Sequence, residues 1–218
     1  MNFKKNELSI VLPSGRLSKE SIDFLNQIGY SNCSFPENSR ELVFYDKIQN
    51  VKFILVRNQD VPLIVLNGGG NVGICGKDIL FENNYNLTYP IPLPFGFCRL
   101  SLAIPKEITK EKIFKKRHIR VATKYPNLTK DYFFKRGINA EIIKLHGSIE
   151  ISPLLNIADC IVDLVSTGRT LLENGLVEIE VILESSAVLI INRSSYYIWN
   201  QKILELIQLI KQKTNILS

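Results

Sequence analysis

The sequence predicts an α/β fold of two lobes, each a mainly parallel sheet flanked by helices. Apolar runs of strand length alternate with amphipathic helical segments, which is typical of parallel sheets. With 218 residues, the chain is long enough for one large or two small α/β domains. Residues 89–96 contain three prolines. Because prolines break regular structure, this stretch is predicted to be a linker between two such patterns.

The segment before this stretch contains four predicted strands: residues 8–12, 41–45, 51–56 and 72–75. The second and third of them are predicted to form a hairpin. Residues 13–16 are predicted as a turn, after which Ser18 caps a first helix that Gly29 closes. Asp60 and Pro62 start a second helix, and a third helix follows Gly76.

The segment after residue 96 repeats the alternation. Its predicted strands are residues 100–104, 119–123, 141–145, 160–164, 177–183 and 187–191. Its predicted helices are residues 129–136, 151–155 and 197–213. In parallel sheets ligands bind beyond the carboxyl ends of the strands, so we look for a site in the turns that follow them.

The turn after residues 160–164 is the most informative part of the chain. Asp163 ends a buried apolar strand, and a turn with two hydroxyls and Gly168 leads into a helix. Free N–H groups at a helix start and nearby hydroxyls bind anions. Asp163 suits the hydroxyls of a sugar, and residues 167–170 suit its phosphate. A strand–turn–helix corner without a ligand is the alternative.

Composition excludes several classes of protein. Hydrophobic residues make up 45% of the chain and charged residues 22%, and the apolar runs are too short for a membrane helix. No signal-peptide pattern is present, so we expect a cytoplasmic location. The net charge is +6, with much of the basic excess in residues 106–144. Because no nucleic-acid motif accompanies it, we expect a solvated basic face that attracts polyphosphates and binds no nucleic acid.

Eight segments, in the same order along the chain, resemble the ATP phosphoribosyltransferase family, which opens histidine biosynthesis. They are residues 12–17, 39–40, 56–62, 73–80, 95–100, 122–126, 145–150 and 159–170. Each segment alone is a short string that recurs by chance, but eight in order are specific. The resemblance runs from residue 8 to about residue 193.

The resemblance implies an architecture like that of type II periplasmic binding proteins. Residues 1–92 with 187–218 would form lobe I, and residues 93–186 would form lobe II with the phosphoribosyl pyrophosphate loop. The implied reaction is a Mg²⁺-dependent glycosyl transfer. N1 of ATP attacks C1 of phosphoribosyl pyrophosphate, giving phosphoribosyl-ATP and pyrophosphate.

The length of the chain resembles the short form of the family. The resemblance therefore implies a homodimer of this chain that assembles with a regulatory subunit similar to histidyl-tRNA synthetase, as a hetero-octamer. A nucleotide-salvage phosphoribosyltransferase of another fold is a weaker alternative, because those enzymes carry two adjacent acids where this chain has Asp163 followed by Leu164.

The resemblance also implies roles for individual residues. Arg16, Arg40 and Asp163 are the implied catalytic residues, the two arginines for the phosphate-rich substrates and Asp163 for the ribose. The implied 5′-phosphate loop and its neighbour comprise Ser166, Thr167, Gly168, Arg169 and Thr170. Mg²⁺ is expected to be held mainly by pyrophosphate, with no protein ligand.

Three further substrate contacts each have a structural alternative. Glu150 is a ribose contact or a helix-start acid stabilised by the helix dipole. Arg57 contacts substrate or braces the turn at Asp60. Asp78 contacts substrate or caps a helix.

Four positions depart from the family pattern. Asn71 replaces a common acid, Asn156 a glycine, Ser14 a frequent lysine and Asn58 a proline. We expect Asn71 to remove a charge near the cleft of the first lobe, and Asn156 to tolerate a left-handed backbone. These departures leave a non-catalytic protein that binds nucleotides or phosphosugars as the alternative function.

Overall fold

The computed structural model describes residues 7–30, 41–85, 87–198 and 200–214, and within them the chain forms eleven strands and eight α-helices. The strands are β1 (Leu8–Ser14), β2 (Val43–Asp46), β3 (Val51–Arg57), β4 (Val72–Gly76), β5 (Thr88–Pro92), β6 (Cys98–Pro105), β7 (Ile119–Thr123), β8 (Ala140–Lys144), β9 (Cys160–Val165), β10 (Leu176–Ser185) and β11 (Ala187–Ile191). The helices are α1 (Arg16–Gln27), α2 (Val61–Leu66), α3 (Lys77–Asn83), α4 (Lys110–Phe114), α5 (Pro126–Phe134), α6 (Arg169–Glu173), α7 (Arg193–Ile198) and α8 (Asn200–Thr214).

The chain divides into two compact units. Unit 1 takes its described residues from Met1–Leu80, Tyr85–Gly96 and Ser186–Ser218, and unit 2 from Phe81–Asn84 and Phe97–Ser185. Unit 1 contains a sheet of order β2-β3-β1-β4-β11-β5, and unit 2 a sheet of order β10-β6-β9-β7-β8. The predicted α/β class is confirmed. The sheets are mixed rather than mainly parallel, because β11 and β6 each run antiparallel to both of their neighbours.

Helices cover both faces of the sheet in unit 1. Along β1, Leu8, Ile10 and Leu12 belong to a core that α1 and α8 complete, whereas Val11 packs with residues of α2. This alternation follows from the two-residue period of a strand. Both faces are buried, as is usual for a strand between two parallel neighbours.

The sheet of unit 2 also has two apolar faces. One face packs against α4 and α5, through residues such as Ile113 and Phe133. The other, which we call the loop face, consists of the buried residues Ala103, Ala122, Ile149, Ala158, Ile161, Val165, Leu171 and Leu176. Leu171 belongs to α6 and Ile149 to a 3₁₀ helix, Ile149–Ile151, so both elements are anchored on the loop face.

The predicted linker at residues 89–96 is wrong for its first part. Residues Thr88–Pro92 form β5, which pairs antiparallel with β11 at the edge of the sheet. An edge strand tolerates proline because one side of its backbone needs no ladder hydrogen bond. Two of the three prolines therefore lie in an edge strand, and the chain enters the main segment of unit 2 only after Gly96, at the end of the predicted linker.

Two helices begin at other residues than predicted, one near the N-terminus and one near the C-terminus. Helix α1 begins at Arg16, because Gly15, with φ of 84°, lets the chain turn there without a side-chain cap from Ser18. The predicted turn at residues 13–16 instead extends β1 through Ser14, which pairs with Arg57. The predicted helix 197–213 is two helices, and α7 begins at Arg193, where Asn192 Oδ1 accepts a hydrogen bond from Ser195 N at 2.8 Å.

The predicted helix at residues 151–155 is a 3₁₀ helix at Ile149–Ile151, followed by turns. Pro153 has no N–H to donate to the Ile149 carbonyl, as an α-helix requires. Ser152 bonds that carbonyl instead, through its N at 3.0 Å and its Oγ at 2.6 Å. Helix α4 was not predicted, and Thr109 Oγ1 caps it by accepting from Lys112 N.

Candidate active site

In unit 2, β9 delivers Asp163 to the loop face of the sheet. Asp163 pairs with Ser101 of the neighbouring strand β6, and Val165 pairs with Arg99 of the same strand. These four residues therefore share one face of the sheet. Helix α6 and the 3₁₀ helix cover the same face. Asp163 is therefore only 9% exposed, although it carries a carboxylate.

The chain leaves the sheet through a short loop of exposed polar residues. Gly168 has φ of 80°, a left-handed conformation that favours glycine, and it precedes α6. Ser166, Thr167, Arg169 and Thr170 are all exposed. Thr167 Oγ1 accepts from Arg169 N at 3.4 Å, and Arg169 forms an ion pair with Glu173 at 2.7 Å. The hydroxyls of this loop and the first residues of α6 are thus exposed and follow Asp163 closely in the sequence.

Burial dominates the electrostatics of Asp163 and raises its pKa above the ordinary value. The positive charge of Lys124 and a 2.8 Å hydrogen bond from Leu164 N oppose this effect. The negative charge of Glu150, on the 3₁₀ helix, adds to it. The structure therefore brings Glu150 and Asp163 into electrostatic contact, next to the loop that carries the other predicted residues of unit 2.

Two cations of this site were given no role in the sequence analysis. Lys124 Nζ lies 3.7 Å from Asp163 Oδ2, and Arg99 Nη1 donates to the Ser166 carbonyl at 3.2 Å. Lys124 directly follows β7, which is the parallel neighbour of β9. Arg99 lies near the start of β6 and Lys124 lies after β7, on the two strands that flank β9, and this placement follows only from the strand order.

Arg16, Arg57 and Asp78 lie in unit 1, where the carboxyl ends of the parallel strands β3, β1 and β4 lie side by side. Arg16 and Arg57 are both exposed at these carboxyl ends, Arg16 shortly after β1 and Arg57 as the last residue of β3. Asp78 is 2% exposed in the first turn of α3, with its carboxylate against Gly76, which favours the structural interpretation. Arg40 lies outside the described residues.

Two departures from the family pattern, Asn71 and Asn156, lie at the amino ends of the strands, opposite the candidate site residues. Asn71 precedes β4, and its Oδ1 accepts from Ser9 N at 2.7 Å and Ser9 Oγ at 2.8 Å, while its Nδ2 donates to Ser195 Oγ at 3.1 Å. The expectation that Asn71 alters charge near the first-lobe site is therefore wrong, because Asn71 is buried at the amino ends of the strands. Asn156 adopts φ of 57°, as expected, and precedes β9.

A cavity of about 730 Å³ in unit 2 also lies at the amino ends of β7 and β9. Its charged groups pair with one another, since Asp159 Oδ1 lies 2.9 Å from Lys116 Nζ and 3.4 Å from Arg120 Nη2. This cavity is separate from the Asp163 site at the other end of the same strands.

In the part of the chain that the structure describes, no helix is long and apolar enough to cross a bilayer. The same residues contain no group of three or more His, Cys, Asp or Glu side chains that could hold a metal ion. Cys75, Cys98 and Cys160 are free thiols, and Cys33 lies outside the described ranges.

Comparison with known proteins gives a consistent result over most of the chain. The family model described as HisG, ATP phosphoribosyltransferase, matches residues 57–212. An ATP phosphoribosyltransferase of Geobacter metallireducens is 43% identical over 202 residues, which cover 92% of this chain and 95% of the relative. The name of this relative does not favour the non-catalytic alternative.

Solved structures support the fold. The ATP phosphoribosyl transferase (HisG:HisZ) complex from Thermotoga maritima contains a chain that matches with a TM-score of 0.79 and 31% identity, covering 94% of this chain and 97% of that one. The periplasmic aliphatic sulphonate binding protein SsuA from Escherichia coli matches with a TM-score of 0.62 at 10% identity, covering 94% and 72%. The likeness to SsuA confirms the predicted architecture of periplasmic binding proteins. With the family model and the close relative in agreement, the chain belongs to the ATP phosphoribosyltransferase family.

Proposed function

We propose that this chain transfers the phosphoribosyl group of phosphoribosyl pyrophosphate to N1 of ATP, the first step of histidine biosynthesis, in the cytoplasm. The N1 lone pair forms the new bond to C1 of the ribose. The bond from C1 to the pyrophosphate oxygen breaks, and pyrophosphate leaves with that electron pair. One observation carries this proposal. In this member of the family, the buried carboxylate of Asp163 is followed by a loop, Ser166–Thr170, whose four non-glycine residues are exposed.

The residues of unit 2 suit the phosphoribosyl group. The hydroxyls of Thr167 and Thr170 and the N–H groups at the start of α6 are exposed donors for a 5′-phosphate. Asp163 accepts hydrogen bonds from ribose hydroxyls, and positive charge that develops at C1 in the transition state is stabilised by a nearby carboxylate. Glu150, whose charge raises the pKa of Asp163, has the proposed role of a further contact to the ribose.

The residues of unit 1 suit the polyphosphate parts of the substrates. The guanidinium groups of Arg16 and Arg57 are exposed at the ends of β1 and β3, where they can bind phosphate oxygens with paired hydrogen bonds. Arg40 has the same proposed role. Mg²⁺ would be held mainly by the pyrophosphate group of phosphoribosyl pyrophosphate, and it would offset the negative charge of that leaving group.

We also propose that the chain works in an assembly. The similar chain from Thermotoga maritima is part of a HisG:HisZ complex, which supports a partner subunit for this chain. A homodimer of this chain, a synthetase-like regulatory partner and a hetero-octamer are what the family resemblance implies.

Formation of phosphoribosyl-ATP from ATP, phosphoribosyl pyrophosphate and Mg²⁺ tests the proposal directly. We expect product, identified by mass spectrometry, and an equal amount of released pyrophosphate. The assay is run with the chain alone and with its regulatory partner, and omission of Mg²⁺ should abolish turnover. A folded, assembled complex that binds both substrates and makes no product would support the non-catalytic alternative.

A further inference from the structure

Arg99 connects the candidate phosphate loop to the sheet. It lies near the start of β6, where it pairs with Val165 at the end of β9. Its Nη1 donates to the carbonyl oxygen of Ser166, the residue at which the chain leaves the sheet, at 3.2 Å. A side chain from one strand thus holds the first backbone group of the loop that follows its neighbour.

A second residue fixes the orientation of this guanidinium. Arg99 Nε lies 2.6 Å from Glu178 Oε1, and Arg99 Nη2 lies 2.6 Å from Glu178 Oε2. Such a two-point pair sets the plane of the guanidinium as well as its position. Ser101 Oγ donates to Glu178 Oε1 at 2.8 Å, so two residues of β6 hold the carboxylate that β10 supplies. The hydrogen bond from Arg99 is the main cause that lowers the pKa of Glu178, and the lowered pKa keeps the pair ionised.

The pair acts on the loop through geometry more than through charge. Arg99 and Glu178 carry opposite charges in direct contact, so together they offer little net attraction to a phosphate. The Ser166 carbonyl also repels anions, and its hydrogen bond to Arg99 satisfies it and fixes its direction. The backbone N–H groups that follow are then presented without an ordering cost at the moment of binding.

We propose that Arg99, clamped by Glu178, is a positioning residue that holds the loop Ser166–Thr170 in the conformation that receives the 5′-phosphate. The identity of the ligand rests on the proposed function. The restraint on the loop is a property of the chain itself and is measurable without any ligand.

Arg136 and Glu180 provide a matched control. This pair also joins an arginine to a carboxylate of β10 in unit 2, but Arg136 stacks over Tyr132 of α5, 3.7 Å from its ring centre, on the other face of the sheet. Arg136→Lys therefore perturbs a comparable ion pair without touching the loop.

Hydrogen exchange of the full chain without ligand tests the restraint. Arg99→Lys keeps the charge but loses the two-point pair. We expect the amides of Leu172 and Asn174, which donate to the carbonyls of Gly168 and Thr170 in the loop, to exchange about tenfold faster, as the loss of a charged hydrogen bond predicts. Arg136→Lys should leave these amides at the wild-type rate, and Glu178→Gln should show a smaller increase than Arg99→Lys. Unchanged exchange in both Arg99→Lys and Glu178→Gln would overturn the proposal.

Steady-state kinetics of the assembled enzyme test the consequence. We expect Arg99→Lys to raise the KM for phosphoribosyl pyrophosphate about tenfold while kcat and the KM for ATP stay within about twofold, because a loosened loop weakens binding of one substrate. An equal change in Arg136→Lys, or a fall in kcat alone, would contradict a positioning role. If the wild type makes no product, the proposed function fails, and hydrogen exchange still decides whether Arg99 holds the loop.

Discussion

Asp163 is almost completely buried, yet it lies next in sequence to the exposed hydroxyls of the candidate phosphate loop. Asp163→Asn keeps the size of the side chain and removes its charge. We expect kcat/KM to fall on the order of 10²-fold or more, because charge stabilisation at C1 is lost, while the midpoint of urea unfolding changes little. Asp131→Asn, which alters an exposed carboxylate paired with Lys135 on α5, is the control and should leave kcat/KM unchanged.

We expect Lys124 to influence the acid limit of activity through its effect on Asp163. Burial raises the pKa of Asp163, and the charge of Lys124 is the largest influence that opposes this. Lys124→Met should therefore raise that pKa further, so that the acid limb of the kcat/KM profile moves to higher pH. Lys130→Met, on the exposed side of α5, should leave the limb in place. An unmoved limb in Lys124→Met would show that another group controls it.

At the scale of elements, the left-handed turn at Gly168 joins β9 to α6. An added Cβ would meet only Val165 at 3.8 Å, so Gly168→Ala is strained by its backbone conformation and not by lack of space. We expect a cost of about 1 kcal/mol, and a rise of about fivefold in the KM for phosphoribosyl pyrophosphate as the loop shifts. Gly137→Ala is the matched control: it has φ of 67° after α5 and no neighbours within 4 Å. It should lose similar stability and keep the wild-type KM.

The buried amide of Asn71 links β1, β4 and α7. The side-chain amide bonds Ser9 and Ser195, and the backbone carbonyl of Asn71 accepts from Asn192 N at 2.9 Å. Asn71→Ala would leave the buried Ser9 N–H without this acceptor, and we expect a loss of about 2 kcal/mol in the free energy of unfolding. Because Asn71 lies at the amino ends of the strands, kcat and KM of the folded variant should match the wild type. A selective fall in substrate affinity would instead place its effect at the candidate site.

At the scale of the whole molecule, acid stability depends on carboxylates such as Asp159. Burial opposes ionisation of Asp159, but hydrogen bonds from Lys116 and Arg120 outweigh it and lower the pKa to about 2, from an ordinary value of 3.8. The folded value lies below the unfolded one, so this stabilisation is complete above about pH 4 and is lost as the pH falls towards 2. Its size is about 2 kcal/mol.

Urea unfolding as a function of pH measures this contribution. Asp159→Asn should be less stable than the wild type at pH 7, and the difference should shrink as the pH approaches 3. Asp131→Asn provides the comparison with an exposed ion pair, for which we expect a difference below about 0.5 kcal/mol at every pH. A pH-independent difference for Asp159→Asn would attribute the effect to packing.

The sequence by itself determined the features whose physical causes are local. Alternating apolar runs predicted the α/β class and most strands, because burial on both faces needs continuous apolar residues. The site loop was predictable for the same reason. Asp163, the hydroxyls and Gly168 are adjacent in the chain, and a strand end, a left-handed turn and a helix start need no distant partner.

Only the tertiary structure decided which distant residues support that loop. Arg99, Lys124 and Glu178 reach the site through the strand order β10-β6-β9-β7, and nothing in their local sequence distinguishes them from surface charges. The same holds for Asn71, whose place at the amino ends of the strands follows from pairing with Ser9 across 62 residues. Register converts separation along the chain into contact, and register is set by packing of the whole sheet.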